Sequence, residues 1–378
     1  MNGPRLARIL LPVLVALAML VPAGCARPEP TITASPSPAP TTTQPTTTTT
    51  TTTPATPTPE PSPTPTATPA PTPTPQPPVG AINFMTGEPL PDPDAVRLRP
   101  MAFMVNNTKI ATPQIGTGAA DLIFETEIEG GVTRMLAIYT DVTQIPELGS
   151  LRSLRHDFID IAGGLDAIIV HVGWSYAAKD QITRQNTDNI NLQVYPSAWW
   201  RDEDWWQERG KEHSVKTTSE RMAAALEKSG LRATLSDEQV PFAAFHSPDA
   251  PVPAQGDPAR LVKIRFSGYN TTTLTWDEAT GLYSKGEYGK PQLDLATGEP
   301  LRFSNGLILQ TDIASFEGSI LREIDLGSGP GYYVSGGRYE AITWKKGTTN
   351  DPFQFQTQSG EPLAMNAGKS YIAIVSDR

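Results

Sequence analysis

The sequence predicts an α/β domain with a mixed sheet at residues 81–250 and a β-rich domain at 261–378, preceded by a disordered Thr/Pro linker. Three observations predict this. Between Met101 and Val172, short apolar strand-like runs surround one helix-length segment, as expected of strands covered by a helix. From Leu261 onward, β-branched and aromatic runs follow one another between Gly-rich turns. Ala26 to Gly80 is mostly Thr, Pro, Ala and Ser without an aromatic residue, too little apolar surface to offset its ordering entropy.

In chain order, Met1 to Arg8 carries two arginines and no acid, and Ile9 to Val21 is apolar. That apolar stretch is short for a bilayer span, which takes about 20 residues. With Pro22-Ala23-Gly24-Cys25 after it, residues 1–24 read as a secretory signal. The cut before a cysteine resembles the bacterial lipobox, although Pro22 stands where leucine is usual. Cys25 is then the lipidation site, carrying palmitate or similar acyl chains, and two chains suffice for stable anchoring. Residues 25–80 form a stalk. Its roughly 55 residues in polyproline II reach about 170 Å at ~3.1 Å each.

Cys25 is the only cysteine, so the mature fold has no disulfide and no thiolate chemistry. Beyond residue 80 there are 27 basic and 38 acidic residues, a net charge of −11. An acidic body without a basic run argues against nucleic acid or anionic lipid as a partner, while leaving room for a local basic pocket.

Gly87 to Pro100 is a turn-rich lead-in, and Met101 to Val105 reads as a buried strand. Leu122, Phe124 and Ile128 alternate with Ile123, Glu125 and Glu127, which places the carboxylates on one strand face. Glu129-Gly130-Gly131 then turns the chain into a returning strand from Arg134 to Tyr139. Ser153 is read as the N-cap of a helix ending at Gly163-Gly164. Ala167 to Val172 is a continuous apolar run, a strand covered on both faces. Strand 135–140, helix 154–162 and strand 167–172 are expected to form a right-handed βαβ unit. Thr217 to Glu220 reads as a capping box for the next helix, with Gly230 as its stop. Residues 251–260 read as an interdomain linker. Gly327-Ser-Gly329-Pro-Gly331 precedes a strand rather than a helix and reads as a hairpin turn, not a phosphate loop.

Asn106, Gln114, Ala120-Asp121, E-T-E-I-E-G-G-V-T-R at 125–134, G-S-L-R-S-L-R at 149–155 and H-V-G at 171–173 resemble the YerB-like bacterial lipoproteins. So do His213-Ser214, Gly327 to Gly337, Thr343 to Lys346 and Asn366 to Lys369. Gln292-Leu-Asp294 departs from the pattern, where His-x-Asp is expected. The resemblance covers 85–378 and implies an exported, membrane-tethered, two-part protein. It implies no reaction, so chemistry has to come from the residues.

Arg134, Arg152 and Arg155, with Asn106 and Gln114, are the candidate ligand-binding residues. Arginines three apart near a helix start can grip a carboxylate or phosphate. Glu125 and Glu127 are candidate acid and base for a sugar or peptide, with His171 and His213 as further catalytic candidates. The competing expectation is that these acids and arginines pair with one another and close a polar seam. His171 and His213 lack the spacing of a metal site, so no metal or cofactor is expected. Ser175 lies on a strand–turn–helix resembling a nucleophile elbow, but its bland reading is a helix N-cap. In Trp199-Trp200-Arg-Asp-Glu-Asp-Trp205-Trp206, a helix would put Trp199 and Trp206 on one face, to stack on sugar rings, dock a partner or anchor the segment to the core. The expected function is binding or scaffolding at the cell envelope, outside the cytoplasm, with cell-wall polymer or envelope protein as partner and no convincing catalytic set. The alternatives are an envelope hydrolase using Glu125 and Glu127, or capture of a small anion by the arginines.

Overall fold

Alternation along a strand sends side chains to two faces, and here both faces are covered. The computed structural model describes residues 81–377 except Pro146. The signal segment, Cys25 and the Thr/Pro stalk lie outside the described residues.

The N-terminal half supplies β1 (Met101–Asn106), β2 (Leu122–Glu127), β3 (Thr133–Tyr139), β4 (Leu148–Gly149), α1 (Asp157–Gly163), β5 (Ile168–His171), α2 (Tyr176–Gln185), β6 (Asn189–Asn191), β7 (Trp200–Arg201), α3 (Glu203–Arg209), β8 (Val215–Thr217), α4 (Ser219–Ser229) and β9 (Ala244–Phe245). The C-terminal half is β-rich: β10 (Leu261–Arg265), β11 (Thr271–Asp277), β12 (Leu282–Glu287), β13 (Lys290–Pro291), β14 (Arg302–Phe303), β15 (Asn305–Thr311), β16 (Ile313–Ser315), β17 (Arg322–Ile324), β18 (Ser328–Ser335), β19 (Arg338–Lys345), β20 (Gln354–Thr357), β21 (Ala364–Met365) and β22 (Ser370–Ser376).

Ten of these strands form one mixed sheet in the order β20-β19-β18-β15-β22-β2-β3-β1-β5-β6. Five come from each half, and the halves meet where β22 pairs in parallel with β2, Leu122 opposite Ser370 through Thr126 opposite Ile374. On one face, Leu122, Phe124, Ile372 and Ile374 pack with Phe158 and Ile161 of α1 and Ala178 of α2. On the other, Ile123, Met135 and Tyr371 pack with Met222 of α4 and with Val262, Leu274 and Tyr283 of a five-stranded sheet, β10 to β14. The large sheet is therefore a middle layer.

The β2–β3 hairpin forms as its sequence dictates. Its antiparallel register pairs Glu127 with Thr133, and Gly130 and Gly131 take φ of 76° and 74° in the turn. Ser175 caps α2, accepting from the Ala178 N–H at 3.2 Å.

Several local expectations are corrected. The strand at 135–140 does not lie beside the one at 167–172, because β1 sits between them, antiparallel to β3 and parallel to β5. The parallel unit with a helical crossover is β5-α2-β6. Ser153 does not cap α1, whose N-cap position is His156. The preceding segment is held between strand ends, so the helix starts later. Thr217 belongs to β8 and donates to Ala198 O, and the cap of α4 is Thr218. Trp199 lies outside α3, which begins only at Glu203, because Trp200–Arg201 pair with β8. Residues 328–331 are part of β18 rather than a turn. Their glycines permit close backbone approach, since a Cβ at Gly329 would lie 2.2 Å from Gln310 O. Gly336 and Gly337 make the turn into β19. Residues 251–260 run along that turn, with Ala254 N–H on Ser335 O and Ala259 N–H on Gly337 O.

Candidate functional site

β1 and β5 pair in parallel from Met101–Ile168 to Phe103–Val170 and then part. Residues 150–154 enter the gap. Arg152 N–H donates to Met104 O, Val172 N–H to Arg152 O and Leu154 N–H to Gly173 O, at 2.9, 3.0 and 3.0 Å. This is the carboxyl end of parallel strands, where α/β sheets hold ligands. Gly149 lets β8 come close, for a Cβ there would lie 2.9 Å from Val215 O.

The inserted segment separates the three candidate arginines by fate. Arg155 is taken: its Nε donates to Glu129 Oε2 at 2.8 Å and its Nη2 to Oε1, a two-pronged pair. Burial opposes ionisation of Glu129, but this pair prevails and holds its carboxyl below the usual range. Arg134 is buried behind the segment. Its Nη1 donates to Ser153 O at 2.5 Å, its Nε has no partner, and burial, with Arg155 beside it, pushes its guanidinium well below the usual value. Arg152 is half-buried and, among the described residues, its guanidinium has no hydrogen bond or ion pair. It lines a pocket of about 230 Å³ with Ser153, Gln193, Arg201, Lys211 and Glu212. Burial also lowers the Arg152 pKa, with Glu212 opposing.

Glu125 and Glu127 meet different cations. Glu127 accepts from Arg322 of β17, Nε at 3.0 Å and Nη2 at 2.5 Å. Glu125 is fully buried between the two sheets. Its Oε1 accepts from Thr133 Oγ1 at 2.6 Å and Asn107 Nδ2 at 2.8 Å, and its Oε2 from Tyr371 OH at 2.8 Å. Lys285 of β12, also 0% exposed, lies 3.0 Å from Glu125 Oε2 and 2.5 Å from Glu287 Oε2. Burial alone would depress the Lys285 pKa, but the two carboxylates hold it above its ordinary value. Burial raises that of Glu125 despite Lys285. Gln292, at the position that departs from the resemblance, accepts from Lys285 Nζ at 2.6 Å and donates to Gln114 Oε1 at 2.8 Å. Gln114 in turn donates to Asn106 O at 2.8 Å. Asp294 braces the same loop through the N–H groups of Gly116 and Gly118 at 2.7 and 2.6 Å. Asn106, Gln114 and Glu125 thus belong to a closed network that joins the two halves. No water-facing carboxylate pair exists there for hydrolysis.

The histidines are also placed by their partners. His171 is buried, with Nδ1 2.7 Å from Gly173 O and Nε2 3.1 Å from Asn189 Oδ1, and burial lowers its pKa. His213 Nδ1 lies 2.7 Å from Asn106 Nδ2. Asn106 Oδ1 accepts from the Thr108 N–H, so the amide donates to His213, whose proton then sits on Nε2. Burial and Arg152 lower the His213 pKa. Among the described residues no group of three His, Cys, Asp or Glu is arranged to hold a metal.

The far wall of the pocket, Arg201, Lys211 and Glu212, was not among the candidates. Its signal lay in the tryptophan run, which interleaves cations with indoles. Arg201 lies 5.4 Å from the Trp199 ring, Lys211 5.5 Å from Trp206, and Arg209 and Lys216 3.9 and 4.1 Å from Trp205. Such contacts hold cations in place while leaving their charge.

Fold and site together define a two-part, sheet-sharing α/β and β protein with a small cationic pocket at a strand-end crevice. The chain belongs to the protein family of unknown function DUF3048: its N-terminal domain matches residues 85–232 and its C-terminal domain residues 262–372. It is 32% identical over 285 residues to the protein named "Putative lipoprotein YerB" of Bacillus subtilis (strain 168), across 74% of this chain and 82% of that one. The crystal structure of the YerB protein from Bacillus subtilis superposes with a TM-score of 0.68 at 26% identity, over 78% of this chain and 96% of that one.

Proposed function

We propose that this protein is a lipid-anchored extracytoplasmic binding protein that holds an anionic group of an envelope component in the Arg152 pocket. One observation carries the reading: a half-buried guanidinium at the carboxyl ends of parallel strands has, among the described residues, no hydrogen bond or ion pair, whereas Arg155 beside it is paired with Glu129. A half-buried guanidinium without an ion pair is free to take an anion through charge-assisted hydrogen bonds. The signal-like segment, Cys25 and the similarity to the Bacillus subtilis protein named a putative lipoprotein support the location. The Thr/Pro stretch suits a spacer. Glu125, which shares Lys285 with Glu287, and Glu127, paired with Arg322, give hydrolysis no support.

Two experiments test this. Membrane fractionation with alkyne-palmitate labelling should place the wild-type chain in the membrane and labelled, and Cys25→Ser should abolish both. In thermal melts of the full chain in detergent, inorganic phosphate or acetate at ten times its Kd should stabilise by about 1.4 kcal/mol. Arg152→Gln should remove that gain. Equal stabilisation of wild type and variant, or none in either at millimolar anion, overturns the pocket assignment.

A further inference from the structure

Resting on that anion reading, we propose that the ligand's anionic group is carried on a sugar, with the charge in the pocket and the ring against Trp206. Two features of the pocket are unnecessary for a bare anion. The first is Glu212, an exposed carboxylate in the pocket wall with no ion pair within 4.0 Å among the described residues. A carboxylate repels phosphate or acetate. It is useful to a ligand that also brings hydroxyl donors, which Glu212 accepts as the Gln193 amide and Ser153 hydroxyl exchange further hydrogen bonds. The second is the indole edge. Arg201 and Lys211 line the pocket and also lie over Trp199 and Trp206, so pocket and aromatic strip are contiguous. Trp205 is buried, with Arg209 and Lys216 over its ring, and serves the core. Trp206 is 39% exposed. An exposed indole beside hydrogen-bonding groups suits the apolar face of a pyranose, which carries C–H groups, better than a bare ion. The body's net charge of −11 disfavours a long polyanion and favours a single charged residue of a glycan. Phosphate and carboxylate sugars share this chemistry.

Calorimetry on the full chain in detergent separates the possibilities. The probes are glucose 6-phosphate against inorganic phosphate, N-acetylmuramic acid against acetate, and N-acetylglucosamine as the neutral sugar. At least one anionic sugar should bind ten times tighter than its matching bare anion, and which one does identifies the anion's source. Trp206→Ala, which also frees Lys211, should cost the anionic sugar at least ten times more affinity than it costs the bare anion, and equal losses refute the sugar. Glu212→Gln should weaken the sugar and tighten the bare anion, opposite signs that a merely structural role does not produce. If bare anions match the sugars and Trp206→Ala changes nothing, the sugar is refuted and the anion pocket stands. If no anion binds in either form, both fall.

Discussion

The Glu125–Lys285 network and the Arg152 pocket are made from the same residue types and end in opposite states. In the network the charged groups are enclosed, and Lys285 lies within 3.0 Å of two carboxylates, one from each half. In the pocket Arg152, Arg201 and Lys211 outnumber Glu212, and among the described residues Arg152 has no ion pair. Charge in a sequence therefore does not mark a site. What marks one is charge that the fold has brought to a strand-end opening and left incomplete.

The strongest break in this comparison is Lys285→Met. It strands two buried carboxylates and should lower stability by about 3–5 kcal/mol in chemical denaturation. Adding Glu125→Gln and Glu287→Gln should recover more than half of the loss, as expected if the network compensates charge rather than performing a reaction.

Asp157 sharpens the contrast, as a buried carboxyl without an Arg or Lys in contact. It accepts from the Ile324 N–H at 2.9 Å, and burial pushes its pKa up to about 6. A raised carboxyl pKa stabilises the fold below the unfolded value near 4, and this contribution is lost as pH rises through 6. The loss is on the order of 3 kcal/mol. Asp157→Asn should therefore gain on wild type in melting temperature between pH 4 and pH 6 and hold a constant lead above pH 7. A difference independent of pH would contradict the burial argument.

Smaller effects belong to the pocket. Glu129→Gln breaks the Arg155 pair, only partly exposed, and should cost about 1–2 kcal/mol. By adding net positive charge beside Arg152 it should also tighten phosphate binding. Arg152→Gln should change stability by less than about 0.5 kcal/mol, since among the described residues its guanidinium makes no hydrogen bond or ion pair. It should nonetheless lose anion binding, separating function from fold.

What was legible in the sequence was local. The β2–β3 hairpin, the Ser175 cap and the C-terminal strands follow from period-two alternation and turn glycines within a few residues. What was not legible depended on distant partners. Glu125 is matched by Lys285, 160 positions away, and Gln114 by Gln292. Ser153 has the chemistry of a cap, but the parting of β1 and β5 claims its segment first. The tryptophan run has helical spacing, yet Trp200 and Arg201 are captured by β8 as a strand. Among the candidate site residues, Arg152 is half-buried at the pocket, while Asn106, Gln114, Glu125 and Arg134 were absorbed by contacts no local pattern encodes.

β22 follows all the other described strands in the chain and yet lies between β15 and β2, parallel to both. The middle of the large sheet therefore stays open until residues 370–376 arrive, and neither half can complete its edge before then. Contacts this remote in sequence form slowly. A chain cut short before residue 370 would therefore leave β15 and β2 each with an unpaired edge, a template for pairing with foreign strands.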